Sequence, residues 1–124
     1  MSQRLGVPVE AMATAQKALA GADIVNLITP SATPLFDGAW LEPGQHVNAA
    51  GSNEFNRREI DLETIRRSDV IVVDSREVAQ AESGDLLPAV DAGLVQWEQL
   101  ASLADIVAGR RAARTLPDQI TLFE

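Results

Sequence analysis

The sequence predicts an α/β fold built on a parallel sheet with flanking helices, and three observations carry that prediction. Short apolar runs rich in β-branched residues occupy residues 22–29, 46–50 and 70–74, the pattern of strands buried on both faces of a parallel sheet. Helix-forming stretches separate these runs, and no internal repeat or low-complexity tract interrupts the alternation. Size agrees: 124 residues, 46% hydrophobic and 23% charged, with a mean hydropathy near zero, suit one globular core.

Taken in order, residues 13–20 are rich in Ala, Gln, Lys and Leu and predict a helix, with Thr14 as its cap. ADIVNLIT at residues 22–29 follows Gly21 as the first strand, and Thr29-Pro30-Ser31 ends it. Pro43-Gly44 marks a turn into HVNAA at 46–50, so Gly51-Ser52-Asn53 falls at the carboxyl end of that strand. Asp61 precedes a short helix carrying Leu62 and Ile65, and VIVVD at 70–74 is the clearest strand. Ser75 or Asp74 caps a helix over 76–82, and Gly84 is the residue type that left-handed C-caps favour. Leu94, Trp97, Leu100, Leu103 and Val107 lie three or four apart and predict one helix over 94–107, ended by Gly109. ITLF at 120–123 completes the pattern as a strand-like run.

A formal net charge of -8 argues against a nucleic-acid partner, because phosphate binding needs clustered cations. Without cysteine the chain has no disulfide, thiolate nucleophile or zinc knuckle, and no metal site is expected. No apolar run approaches the roughly 20 residues of a spanning helix, and the start of the chain lacks the charged-then-apolar order of a signal peptide. The expected location is the cytoplasm, with no membrane partner.

Ligands of open parallel sheets bind beyond the carboxyl ends of the strands, which nominates residues 29–33 and 51–58. A Gly-rich turn of the GxGxxG type is missing: Gly6, Gly21 and Gly38 are far apart, and Gly109 follows a predicted helix. Four stretches then carry a resemblance: ADIVNLITPSATPLF at 22–36, WLEPGQHVNAAGSNEFNRREID at 40–61, DVIVVDSREVAQAESGDLL at 69–87 and DQITLFE at 118–124. In this order they resemble the ornithine cyclodeaminase/μ-crystallin family over nearly the whole chain. The resemblance implies that residues 1–124 are the C-terminal half of an NAD(P)-binding Rossmann-like domain. The first βαβ unit and the N-terminal substrate and dimerisation region are then expected to lie outside this stretch.

By that resemblance the cofactor is NAD or NADP, and the residues facing it are Thr29, Val47, Asn48, Ala49, Ala50 and Arg57, the last standing where the family often has Lys. Asn53 falls where the cyclodeaminases have an acid/base Asp. An amide hydrogen-bonds a substrate but does not exchange a proton as a carboxylate does. The implied activity is therefore a ketimine or cyclic imino-acid reductase, or an amino-acid dehydrogenase, with an NAD-dependent ornithine cyclodeaminase as the alternative that this amide suits less well. A μ-crystallin-like protein binding NADPH and a small ligand without turnover is the further alternative. The expected partners are a small amino-acid or cyclic imino-acid substrate and, in the intact family, a second copy in a homodimer. The isolated stretch is expected to be inactive alone and prone to self-association through an open strand edge.

Simpler readings cover the other polar residues. His46, the single histidine, is expected to be structural or exposed, and Asp74 and Ser75 to be helix caps. Glu82 and Asp85, flanking Ser83-Gly84, read as solvated helix-end charges, and Trp97 as a core or interface residue.

Overall fold

The computed structural model describes residues 2–124 and the side chains from Arg4 onward. Five strands form one sheet: β1 (Ile24–Leu27), β2 (His46–Ala49), β3 (Val70–Val73), β4 (Ala101–Ser102) and β5 (Thr121–Phe123). Their order is β1-β2-β5-β3-β4 and every pairing is parallel. The helices are α1 (Ser2–Leu5), α2 (Ala15–Leu19), α3 (Leu62–Arg67), α4 (Arg76–Glu82), α5 (Leu86–Asp91) and α6 (Leu103–Val107). The α/β class and the parallel sheet expected from the sequence are present, with β5 as the central strand.

Local signals explain most of the boundaries. Thr14 Oγ1 accepts from Lys17 N at 3.3 Å, Asp61 Oδ1 from Thr64 N at 2.7 Å and Ser75 Oγ from Val78 N at 3.3 Å, so α2, α3 and α4 each start at a side-chain cap. In β2, Val47 and Ala49 point into the core while His46 and Asn48 point the other way. Register places Val25, Leu27, Val47, Ala49, Leu122, Ile71 and Val73 on one face. Leu19, Ile65, Ala79, Leu86 and Ala89 from the helices complete that core.

Three expectations are corrected. The first strand is not buried on both faces: Val25 and Leu27 are buried, but Ile24 is 59% and Ile28 77% exposed. β1 is an edge strand whose second face no described element covers, so it alternates as a half-buried strand does. Gly84 does not end α4 in a left-handed turn, because its φ is not positive. It is glycine because a Cβ there would lie 1.8 Å from the carbonyl oxygen of Arg57.

The helix expected over 94–107 is instead a 3-10 turn (Trp97–Gln99), then β4, then α6. Leu100 and Ala101 are fully buried, with Ala101 in register with Val72, whereas Leu94, Leu103 and Val107 are exposed. The heptad-like spacing of the leucines is therefore accidental, and the sheet edge wins the segment. Trp97 packs against the core, as expected. α5 had no counterpart in the expected elements. Its start is fixed by Ser83 Oγ, which accepts from Leu86 N at 3.0 Å.

Candidate functional site

At the carboxyl ends of β2, β5 and β3 a cleft of about 170 Å³ opens beside α4. Ala49, Ala50, Val78, Ala79 and Phe123 form its apolar walls, and Ser52, Asn53, Asp74, Glu82, Ser83 and Glu124 its polar ones. This is where an open parallel sheet offers a ligand site. Small residues at the end of β2 leave room for a flat ring to approach the backbone.

The sequence-nominated residues divide into two groups. Ala49, Ala50 and Asn53 line the cleft, and Asn53 Oδ1 accepts from Arg57 Nη1 at 3.0 Å. Arg57 also pairs with Glu54 at 3.1 Å, so its charge is held on the rim by its own loop. Thr29 follows β1, half-buried, with its N–H donated into the loop region behind the cleft. Val47 and Asn48 sit apart from the cleft. The Val47 side chain is fully buried in the core. Asn48 donates to Asn26 Oδ1 at 2.8 Å and meets His46 Nε2 at 3.0 Å. His46 Nδ1 also lies 2.7 Å from Thr121 Oγ1, so the histidine belongs to a polar row on the open sheet face, away from the cleft.

Sequence reasoning missed the carboxylates behind these loops. Glu59 is fully buried; its Oε1 accepts from Thr29 N at 2.6 Å and its Oε2 from Gly51 N at 2.7 Å. Asp85, expected to be solvated, is 1% exposed, and its Oδ1 accepts from Glu59 N at 2.9 Å and Ile60 N at 3.1 Å. Asp85 Oδ2 has no partner among the described residues, and burial pushes this carboxyl above the usual range against the pull of the two N–H groups. Glu82 is exposed, as expected.

Glu124 follows β5, its N–H bonded to Val72 O at 3.0 Å, and its side chain reaches the cleft. Ser83 Oγ donates to Glu124 Oε1. Burial is the main reason that Glu124 is pushed up to about 8; Asp85, Glu59 and Asp74 add to the rise, and the Ser83 hydrogen bond opposes it. The cleft thus holds a carboxyl with raised proton affinity together with the Asn53 amide, groups suited to hydrogen-bonding a polar ligand. The apolar walls fit a planar ring, and the anionic surroundings do not fit a pyrophosphate.

The model of the ornithine cyclodeaminase/mu-crystallin family matches residues 1–124. The chain belongs to this family. It is 34% identical over 125 residues to a delta(1)-pyrroline-2-carboxylate reductase of Bacillus cereus, covering 100% of this chain and 38% of that protein. To the ketimine reductase mu-crystallin of Mus musculus it is 34% identical over 116 residues, 94% of this chain and 34% of that one. Among solved structures, the Thermococcus litoralis delta(1)-pyrroline-2-carboxylate reductase in complex with NADH and L-proline superposes with a TM-score of 0.92 at 36% identity, covering 98% of this chain and 38% of that one. The chain therefore spans little more than a third of the length of these relatives. The partial Rossmann-like sheet expected from the sequence is the part they share.

Proposed function

We propose that residues 1–124 form the nicotinamide-side half of the dinucleotide-binding domain of an imino-acid reductase, acting on a small cyclic imino acid or its amino-acid product. The observation that carries this reading is the cleft at the carboxyl ends of β2, β5 and β3, where Ala49, Ala50, Asn53 and Glu124 meet. Support comes from the family and from the reductases among its relatives, one of them bound to NADH and L-proline.

NAD(H) or NADP(H), when bound, supplies or accepts hydride. Ala49, Ala50 and Phe123 would hold the flat ring, and the Asn53 amide would orient a substrate nitrogen or carboxylate. Glu124 holds a proton within the same cleft. A cyclodeaminase is disfavoured because the Asn53 amide does not exchange a proton as a carboxylate does. The described residues offer no Gly-rich turn or free helix N-terminus of the kind that takes a pyrophosphate. The reading therefore assigns that role, the substrate-binding region and the homodimer contacts to sequence beyond this stretch, and predicts no turnover by this stretch alone.

The test adds the chain to a complementary N-terminal region of the family, supplied as a second polypeptide or by fusion. NADH and NADPH consumption is then followed with Δ1-pyrroline-2-carboxylate. Turnover that needs both parts supports the reading. Saturable nucleotide binding without turnover points to a binding protein, and absence of both sinks the proposal.

A further inference from the structure

The parallel ladder between β1 and β2 ends at Leu27 and Ala49, with one more bond from Ala50 N to Leu27 O. Beyond that step the two chains diverge, and the N–H groups of Thr29 and Gly51 have no strand to pair with. A single side chain takes both. Glu59 Oε1 accepts from Thr29 N at 2.6 Å and Oε2 accepts from Gly51 N at 2.7 Å, short distances of the kind that an ionised acceptor makes. The carboxylate thus stands in for the missing rung of the ladder.

Its own backbone is held as firmly. Glu59 N and Ile60 N both donate to Asp85 Oδ1, and Glu59 O accepts from Leu35 N at 2.9 Å. The approach is also steric: a Cβ on Gly51 would lie 2.4 Å from both the N and the O of Thr29 and 2.7 Å from Glu59 Oε2. The loops after β1 and β2 therefore meet at one fully buried carboxylate.

We propose that Glu59 is a positioning residue, clamping the loop after β1 to the loop after β2 so that the separation of Thr29 from Asn53 is set before any ligand arrives. Its functional consequence, though not its existence, rests on the nucleotide-site reading above. Glu59 touches no ligand itself. It acts through Thr29 and through the Gly51-Ser52-Asn53 turn, which leads into the cleft.

The experiment uses the 15N-labelled chain and a Glu59→Gln variant, which keeps the size and one acceptor but turns an NH2 toward the second N–H. The Thr29 and Gly51 amide protons should lie downfield in the parent. In Glu59→Gln at least one of them should lose that shift and exchange with D2O at least about tenfold faster, while core amides such as Val73 and Leu100 stay protected. In the assembled two-part protein, the Kd for NADH should rise about tenfold. A control outside both loops, Glu63→Gln, should leave both readouts unchanged.

If Glu59→Gln fails to fold, Asp85→Asn weakens the acceptor of Glu59 N and Ile60 N and should move the Thr29 and Gly51 amides in the same direction by less. Unmoved Thr29 and Gly51 amides in whichever variant folds overturn the clamp. So does an unchanged Kd where the parent binds. Failure of the parent to bind NADH counts against the nucleotide reading and leaves the amide shifts to decide the clamp.

Discussion

The two ends of the sheet are both organised by buried polar side chains, but with opposite chemistry. At the amino ends of the strands Gln45, 3% exposed, satisfies three backbone groups: its Oε1 accepts from Glu42 N at 2.8 Å, and its Nε2 donates to Leu19 O at 2.9 Å and Ala22 O at 2.7 Å. Arg114 joins it, donating to Gly44 O, Gln45 O and Thr121 Oγ1. At the carboxyl ends the corresponding groups are Glu59, Asp85 and Glu124; burial raises the proton affinity of Asp85 and Glu124, with neighbouring acids adding to the rise, and one Asp85 oxygen is unpartnered among the described residues. The buried group at the amino end is a neutral amide with its hydrogen bonds satisfied. The carboxyl end concentrates buried carboxyls that folding alone would avoid, which is what a site prepared for a polar ligand looks like.

The largest break in this comparison should come from Gly84→Ala, whose Cβ meets Arg57 O at 1.8 Å and must push the loop off Asp85. A loss of about 3 kcal/mol in urea unfolding is expected. Gln45→Ala tests the other end: it strands three backbone groups and should cost about 2 kcal/mol, while leaving any nucleotide affinity of the assembled protein unchanged.

The pH dependence separates the ends more finely. Glu124 and Asp85 are both raised in the fold, so the folded state holds protons that the unfolded chain releases. The Glu124 contribution is full below the ordinary carboxyl range and is lost as pH rises through about 8, and the Asp85 contribution is lost in the same direction. The melting temperature should therefore fall by about 10 °C or more between roughly pH 5 and pH 8, and Glu124→Gln should flatten most of that slope. A flat profile in the parent would contradict the assigned proton on Glu124. The smallest effect belongs to Arg114→Ala, an exposed residue, at about 1 kcal/mol and with the pH slope retained.

How much of this was legible in the sequence follows from what each segment answers to. β1, β2, β3 and β5 were found because apolar, β-branched runs between turn residues are a local signal. The caps at Thr14, Asp61 and Ser75 were equally local. Residues 94–107 misled because a spacing of three and four fits a helix whether or not the side chains share an environment, and only the pairing of Ala101 with Val72 shows that they do not. The loop positions of Thr29 and Asn53 followed from the rule for parallel sheets. Glu59 and Asp85 stayed hidden because an acid in a polar stretch is ordinarily solvated, and nothing near Glu59 in the chain announces that Thr29, 30 residues away, will donate to it.

The position of β5 has a consequence in time. Residues 121–123 lie between β2 and β3, so until they are made the strands available are two separate pairs, β1 with β2 and β3 with β4. During synthesis the two pairs cannot join through the sheet. The strand that unites them, and the Glu124 that closes the cleft, emerge from the ribosome after the four strands they hold together, which leaves the nascent pairs exposed to mispairing until residues 121–124 arrive.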